Sequence, residues 1–394
     1  MNKLISIVLL AFLLISCSKD SENDYEKIDP ATSIQIAFGT NIDLNNLENY
    51  ANQTIPSYVL TDNTDGNPIT DKEATLGRVL FYDKNLSSNN TISCASCHKQ
   101  ELAFGDDAMV SQGVNGTSDR HSMRLVNNRF SLESKYFWDE RASSLEEQTI
   151  MPIQDHKEMG FSGQNGDPNF SELITKLNSI GYYKELFKFV YGSENIDVEK
   201  IKVALSQFVR SIQSFDSKYD VGRASVSFDT DEFPNYTRQE ERGKNLFLLE
   251  AFFNSNGDRT SGGLACLHCH QTPTFNIDPT SKNNGIIGVI GSPNQIDLNN
   301  TKAPSLRNIF NQNGQLNGPL MHTGNLTLED VLNHYSTNPE NSLNTNLDIR
   351  LFPNGNTLKL NMTTAEKNDI TAFLKTLSGT NVYTDAKWSD PFLN

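Results

Sequence analysis

Two short motifs, Cys94-Ala95-Ser96-Cys97-His98 and Cys266-Leu267-His268-Cys269-His270, constrain this chain more than any other feature. Both are C-x-x-C-H, the spacing at which two thiols add to the two vinyl groups of one haem while the adjacent His reaches the iron. Competing chemistries explain fewer of the residues. A zinc ribbon brings its Cys pairs within about 15–20 residues of each other, whereas these pairs lie in opposite halves of the chain. A thioredoxin-type C-x-x-C gives no reason for a His to follow twice. The chain has five Cys. Four lie in the motifs and the fifth, Cys17, follows an apolar N-terminal stretch, so the sequence predicts no disulfide. Wide separation of the motifs predicts one haem c per domain.

The chain of 394 residues is long enough for two cores. Its formal charge of −15 argues against a nucleic-acid partner, which needs a basic surface. Residues 1–16 read as a secretion signal, with Lys3 ahead of an apolar stretch too short to span a bilayer. Leu14-Ile15-Ser16-Cys17 resembles a bacterial lipobox, which predicts lipid on Cys17 and an extracytoplasmic protein anchored only through it. Residues 17–54 are polar and aperiodic and read as a flexible tether.

Helix signals are frequent and strand signals few. Thr70-Asp71-Lys72-Glu73 is a capping box ahead of an apolar run, and Thr363-Thr364-Ala365-Glu366 is another, its helix expected to stop near Gly379. Residues 196–219 place Ile201, Ala204, Leu205, Phe208, Val209 and Ile212 at helical spacing. A helix over 238–252 precedes the second motif as another precedes the first. Long Gly/Asn/Ser-rich loops at 105–120 and 254–318 fit a core filled by haem. Residues 220–234 read as a linker, giving domains of 55–222 and 223–394 and a mainly α fold with little sheet.

Further motifs resemble a known family. Leu76-Gly77-Arg78-Val79-Leu80-Phe81-Tyr82-Asp83, Leu86-Ser87, Ser93 to His98, and Ala103-Phe104-Gly105-Asp106 are similar to the N-terminal domain of bacterial di-haem cytochrome c peroxidases. Phe137-Trp138-Asp139-Glu140-Arg141-Ala142, Leu145-Glu146-Glu147-Gln148, Pro152-Ile153 and Glu158-Met159 continue the likeness. Ala303-Pro304-Ser305-Leu306-Arg307-Asn308-Ile309 and His322-Thr323-Gly324 carry it into the second half. The resemblance spans about 70–380, includes the MauG-like branch, and implies two cytochrome c-like domains.

The resemblance implies roles residue by residue. The N-terminal haem, attached at Cys94 and Cys97 with His98 as proximal ligand, becomes the peroxide site. Glu158 becomes its acid–base group, Gln148 a polar partner for peroxide, and Pro152 a pocket wall. Many relatives close this iron with a His in the following loop. Here Ser111-Gln112-Gly113-Val114-Asn115-Gly116 has Val114 at that place, which predicts an open iron at rest. His121 is the nearest later His that could ligate instead. The second haem, attached at Cys266 and Cys269 with His270 as proximal ligand, becomes the electron-transfer site. Its sixth ligand falls on Tyr335, as in MauG-like proteins, with His334 as rival; His268 is expected to face solvent. Trp138 is expected to relay electrons between the haems. The resemblance also implies a calcium ion near Asn317 and Pro319, although His121 stands where the family has a calcium-binding side chain. Together these imply hydrogen peroxide as substrate, and a small redox protein or an oxidisable partner protein as electron donor. A non-catalytic di-haem electron carrier is the alternative.

Overall fold

The computed structural model describes residues 32–132, 135–338 and 342–393. The signal segment and Cys17 lie outside them. Helices dominate: α1 (Ser33–Phe38), α2 (Asp71–Tyr82), α3 (Cys94–Cys97), α4 (Leu145–Gln154), α5 (Phe170–Asn178), α6 (Gly181–Tyr191), α7 (Val198–Ser211), α8 (Lys218–Arg223), α9 (Arg238–Leu248), α10 (Leu328–Thr337) and α11 (Thr364–Lys375). Two antiparallel strand pairs flank the second motif, β1 (Ala251–Phe253) with β2 (Arg259–Gly262), and β3 (His270–Gln271) with β4 (Asn276–Ile277).

Two apolar clusters form the cores. One packs α2 against α7, with α6 and α4 around them; the other packs α9 against α11. The crossings repeat in detail. A Cβ on Gly77 would lie 2.0 Å from the Ala204 carbonyl oxygen and 2.8 Å from Phe208 Cβ. A Cβ on Gly243 would lie 2.0 Å from the Asp369 carbonyl oxygen and 2.8 Å from Phe373 Cβ. Only glycine permits backbones this close, so each domain is closed by the same glycine-mediated crossing.

Local signals hold with small changes. Thr70 accepts the Glu73 N–H at 3.1 Å, but its own N–H goes to Gln207 Oε1 on α7. The Thr363/Glu366 capping box is complete, and its helix ends at Lys375 rather than near Gly379. The helix expected over 238–252 ends at Leu248, and the chain enters β1.

The domain limits depart from the sequence reading. Residues 32–54 are not a tether where described, because Ile34, Phe38, Ile42 and Tyr50 are buried in the first core. Residues 220–234 are not a linker, because Tyr219 and Phe233 belong to the second core and α8 begins at Lys218. The crossover lies between Ile212, the last α7-side residue of the first core, and Tyr219. The chain also returns: Val382 and Trp388 join the first core, and the Leu393 N–H reaches the Ala37 carbonyl at 3.0 Å.

Candidate functional site

Each motif opens onto a cavity. The first, about 420 Å³, is lined by Cys94, Cys97 and His98 together with Trp138, Gln148, Pro152 and Glu158. Helical geometry explains part of this convergence. Gln148 and Pro152 are four residues apart on α4 and share one face. Ser144 caps α4 by accepting the Glu147 N–H, and Asp155 ends it. The Asp155 carboxylate then accepts the N–H groups of Lys157 (2.8 Å) and Glu158 (3.0 Å), a turn that brings Glu158 back to the cavity. Burial, reinforced by Asp155, pushes the Glu158 carboxyl up to about 7 despite the opposing charge of Arg141.

The loop after the first motif packs directly on the Glu158 turn. The Val114 N–H bonds the Glu158 carbonyl at 2.9 Å and the Asn115 N–H the Lys157 carbonyl at 3.1 Å. Gly113 is required there, since a Cβ would sit 2.1 Å from the Lys157 oxygen. Gln112 and Gly113 line the cavity, and Val114 packs beside Gly160. His98 has Nδ1 3.3 Å from the Phe104 carbonyl, an interaction that leaves Nε2 for a metal. Burial lowers the His98 pKa and favours the neutral, ligating imidazole.

The second cavity, about 270 Å³, is lined by Cys266, Cys269, His270 and Tyr335. Leu328, Val331, Leu332 and Tyr335 follow i, i+3, i+4, i+7 on α10, and all four line it. The neighbouring His334 instead places Nε2 2.8 Å from the Asn284 carbonyl. The Tyr335 hydroxyl accepts the Asn284 amide at 3.2 Å, and the same amide lies 3.3 Å from Met321 Sδ. Burial raises the Tyr335 pKa and lowers that of His270 to about 4. His268 is 43% exposed and pairs with Glu250.

Trp138 belongs to both cavities. Its indole N–H donates to the His121 carbonyl at 2.7 Å, and its own carbonyl accepts the N–H groups of Thr301 (2.9 Å) and Lys302 (3.1 Å). Its ring meets that of His322 edge-on at 6.1 Å. His121 also lines both cavities, with Nδ1 2.9 Å from the Ala108 carbonyl. Asn317 lines neither; its amide donates to the Asn308 carbonyl and the Tyr383 hydroxyl, and Pro319 lines the second cavity. Arg141 and His322, named above only as parts of family motifs, also line the cavities; Arg124, Asn284 and Met321 are cavity residues that sequence reasoning passed over. Their types recur on any protein surface, so no local pattern marks them.

Comparison with known proteins agrees with this geometry. A family model described as di-haem cytochrome c peroxidase matches residues 71–224. A cytochrome c551 peroxidase of Nitrosomonas europaea is 30% identical over 272 residues, covering 66% of this chain and 71% of that protein. The chain belongs to the di-haem cytochrome c peroxidase family. It is an enzyme of that family, an oxidoreductase acting on peroxide, built from two cytochrome c-like domains. The methylamine utilization protein MauG of Methylophilus methylotrophus is 28% identical over 79% of this chain and 84% of its own length. A solved structure of a MauG-like protein associated with microbial copper homeostasis superposes with a TM-score of 0.64 at 29% identity, covering 86% of this chain and 99% of that one.

The two haems implied by this family fit the residues present. Each cavity offers two unpaired thiols, Cys94 with Cys97 and Cys266 with Cys269, beside one buried imidazole. In the second cavity the His270 Nδ1 is buried without a hydrogen-bond partner.

Proposed function

We propose that this protein reduces hydrogen peroxide in the cavity of Cys94, Cys97 and His98, using electrons that enter through the cavity of Cys266, Cys269 and His270. The observation that carries this reading is the convergence of Gln148, Pro152 and Glu158 on the wall of the first cavity. A haem bound there supplies a redox-active iron with a position open to peroxide. The overall change takes up two electrons and two protons and turns one peroxide into two waters.

Glu158 is the proton carrier. It takes a proton from one peroxide oxygen and returns it to the departing oxygen. A carboxyl poised at about 7 does both near neutral pH. Gln148 orients the peroxide by hydrogen bonding, and Pro152, which has no N–H, walls the pocket without competing for substrate. Trp138 relays electrons between the domains, a role supported by its place in the shared wall and by its anchorage to Thr301 and Lys302. Tyr335 would hold the iron of a haem bound in the second cavity, a role supported by its position on the cavity-facing stripe of α10 while His334 is turned to Asn284. The donor is a small redox protein or an oxidisable partner protein.

Lipid on Cys17 anchors the enzyme to a membrane in an extracytoplasmic space, a reading supported by the Leu14–Cys17 pattern. Calcium near Asn317 and Pro319 has one point of support, a buried Asn317 Oδ1 without a hydrogen-bond partner. Low-temperature EPR of the ferric holoprotein tests the assignment. One high-spin and one low-spin haem are expected; two low-spin haems would overturn the open peroxide site.

A further inference from the structure

Arg124 is a cation in the wall shared by the two cavities. Its stem lies against Gly105, where an added Cβ would come within 2.9 Å of Arg124 Cγ. Its guanidinium makes two hydrogen bonds, Nε to the Arg307 carbonyl at 3.3 Å and Nη2 to the Ser305 carbonyl at 3.1 Å. Both acceptors are neutral. Among the described residues no carboxylate pairs with it, and burial pushes its pKa down to about 10. The other arginines lining the cavities differ. Arg120 has Asp297, Arg141 has Asp139, and Arg350 has Asp348.

Arg124 is half-buried, and filling the cavities would bury it further; a cation so placed is disfavoured without an anion, because its lost hydration is not replaced. The missing anion is expected to come from whatever fills the cavities. A haem c keeps two propionate carboxylates after its vinyl groups have reacted with the cysteines. Arg124 carries five N–H donors in a planar fork, suited to carboxylates. Lys302, the other cation lining both cavities, is directed to the Lys135 carbonyl and over the Tyr136 ring. Arg124 is thus the one of the two whose protein partners are carbonyls alone.

We propose that Arg124 is the shared counter-charge of the haem propionates, holding one carboxylate from each cavity and setting the potential of both haems together. It acts as a positioning residue: it moves no proton of the reaction and does not touch peroxide. A positive charge beside a haem disfavours the ferric state, which carries one more positive charge than the ferrous state. Removing it leaves the propionates uncompensated and lowers the potential.

The inference rests on haem filling both cavities, and the same experiment checks that reading separately. Haem per chain is first counted in the wild-type holoprotein; fewer than two would overturn the di-haem reading itself. Spectroelectrochemical titration then compares wild type, Arg124→Gln and Arg124→Lys, each with two haems. Both midpoint potentials are expected to fall in Arg124→Gln and to recover largely in Arg124→Lys, which keeps the charge. Potentials unchanged in Arg124→Gln, or a fall confined to one haem, would overturn the proposal. Should Arg124→Gln fail to load two haems, resonance Raman of the Arg124→Lys holoprotein decides. The propionate bending bands of both haems are expected to shift, and bands unmoved in either haem would overturn it.

Discussion

Glu158 is held by its surroundings at a proton affinity that a solvent-exposed carboxyl does not have. Burial is the larger cause and Asp155 the smaller. The ionised form is the base, so kcat/KM for peroxide should fall as pH drops below about 7 and level off above it. Glu158→Gln should keep two haems, lose about 10²–10⁴-fold in kcat/KM, and lose that acid limb. Stopped-flow peroxide reaction across pH 5–9 checks both, and an unaltered profile would remove Glu158 from the mechanism. The same shift bears on stability. The unfolded chain ionises Glu158 at an ordinary carboxyl pKa and the folded chain only near 7. Stability is therefore lost as pH rises between the two values and stays lower above them. Glu158→Gln should accordingly gain stability over wild type at pH 8, as read from urea midpoints. At Tyr335, a phenolate ligand favours the ferric state, so Tyr335→Met should raise the potential of the second haem and leave the first nearly unmoved. Redox titration of the two haems separates these outcomes.

At the scale of elements, the fold depends on two helix crossings that tolerate no side chain. Gly77 and Gly243 each face a carbonyl of the partner helix at a distance no Cβ can share. Because the obstacle is backbone, a helix must move as a unit to relieve it. Gly77→Ala and Gly243→Ala should each cost about 1–3 kcal/mol or more, and each should weaken the domain that contains it. Thermal unfolding followed at the haem bands checks this. Losses no larger than those of an exposed Gly→Ala change would mean the crossings have room to spare. What could be read from the sequence follows from how local each feature is. The C-x-x-C-H motifs and the caps at Thr70 and Thr363 are each written within one or two turns of chain. The placement of Glu158 was legible only through family resemblance, because a carboxylate in a loop has no pattern of its own. Residues 32–54 were misread because their buried side chains, Ile34, Phe38, Ile42 and Tyr50, are spaced for docking on a neighbour. Arg124 was invisible for a similar reason: its isolation is a property of the assembled wall, not of its sequence neighbours.

The whole molecule is tied together by segments that cross between its halves. Arg120 of the first half donates to Asp297 and Asn300 of the second, and the Tyr58 hydroxyl donates to Asp220 at 2.8 Å. The final residues return to the first domain, and this return is the feature with the clearest consequence. Trp388 is 2% exposed and donates to Ser211 Oγ on α7 at 3.2 Å. The Tyr82 hydroxyl donates to the Trp388 carbonyl at 2.6 Å, the Tyr50 hydroxyl to the Lys387 carbonyl at 2.6 Å, and Arg78 Nε to the Ser389 carbonyl at 2.6 Å. Phe392 packs on Phe38 with ring centroids 5.0 Å apart. Residues 382–393 therefore pack on the N-terminal core, against α2. Trp388→Ala should cost about 3–5 kcal/mol, the usual range for emptying a buried aromatic site. The loss should fall on the first domain. Chemical unfolding, followed separately at the haem of each motif, distinguishes the possibilities. A lowered midpoint at the first haem alone means the tail is a piece of that domain. Equal lowering at both means Arg120–Asp297 and the shared Trp138 wall make the halves unfold together. No lowering at either would show that the tail lies on the first domain without stabilising it.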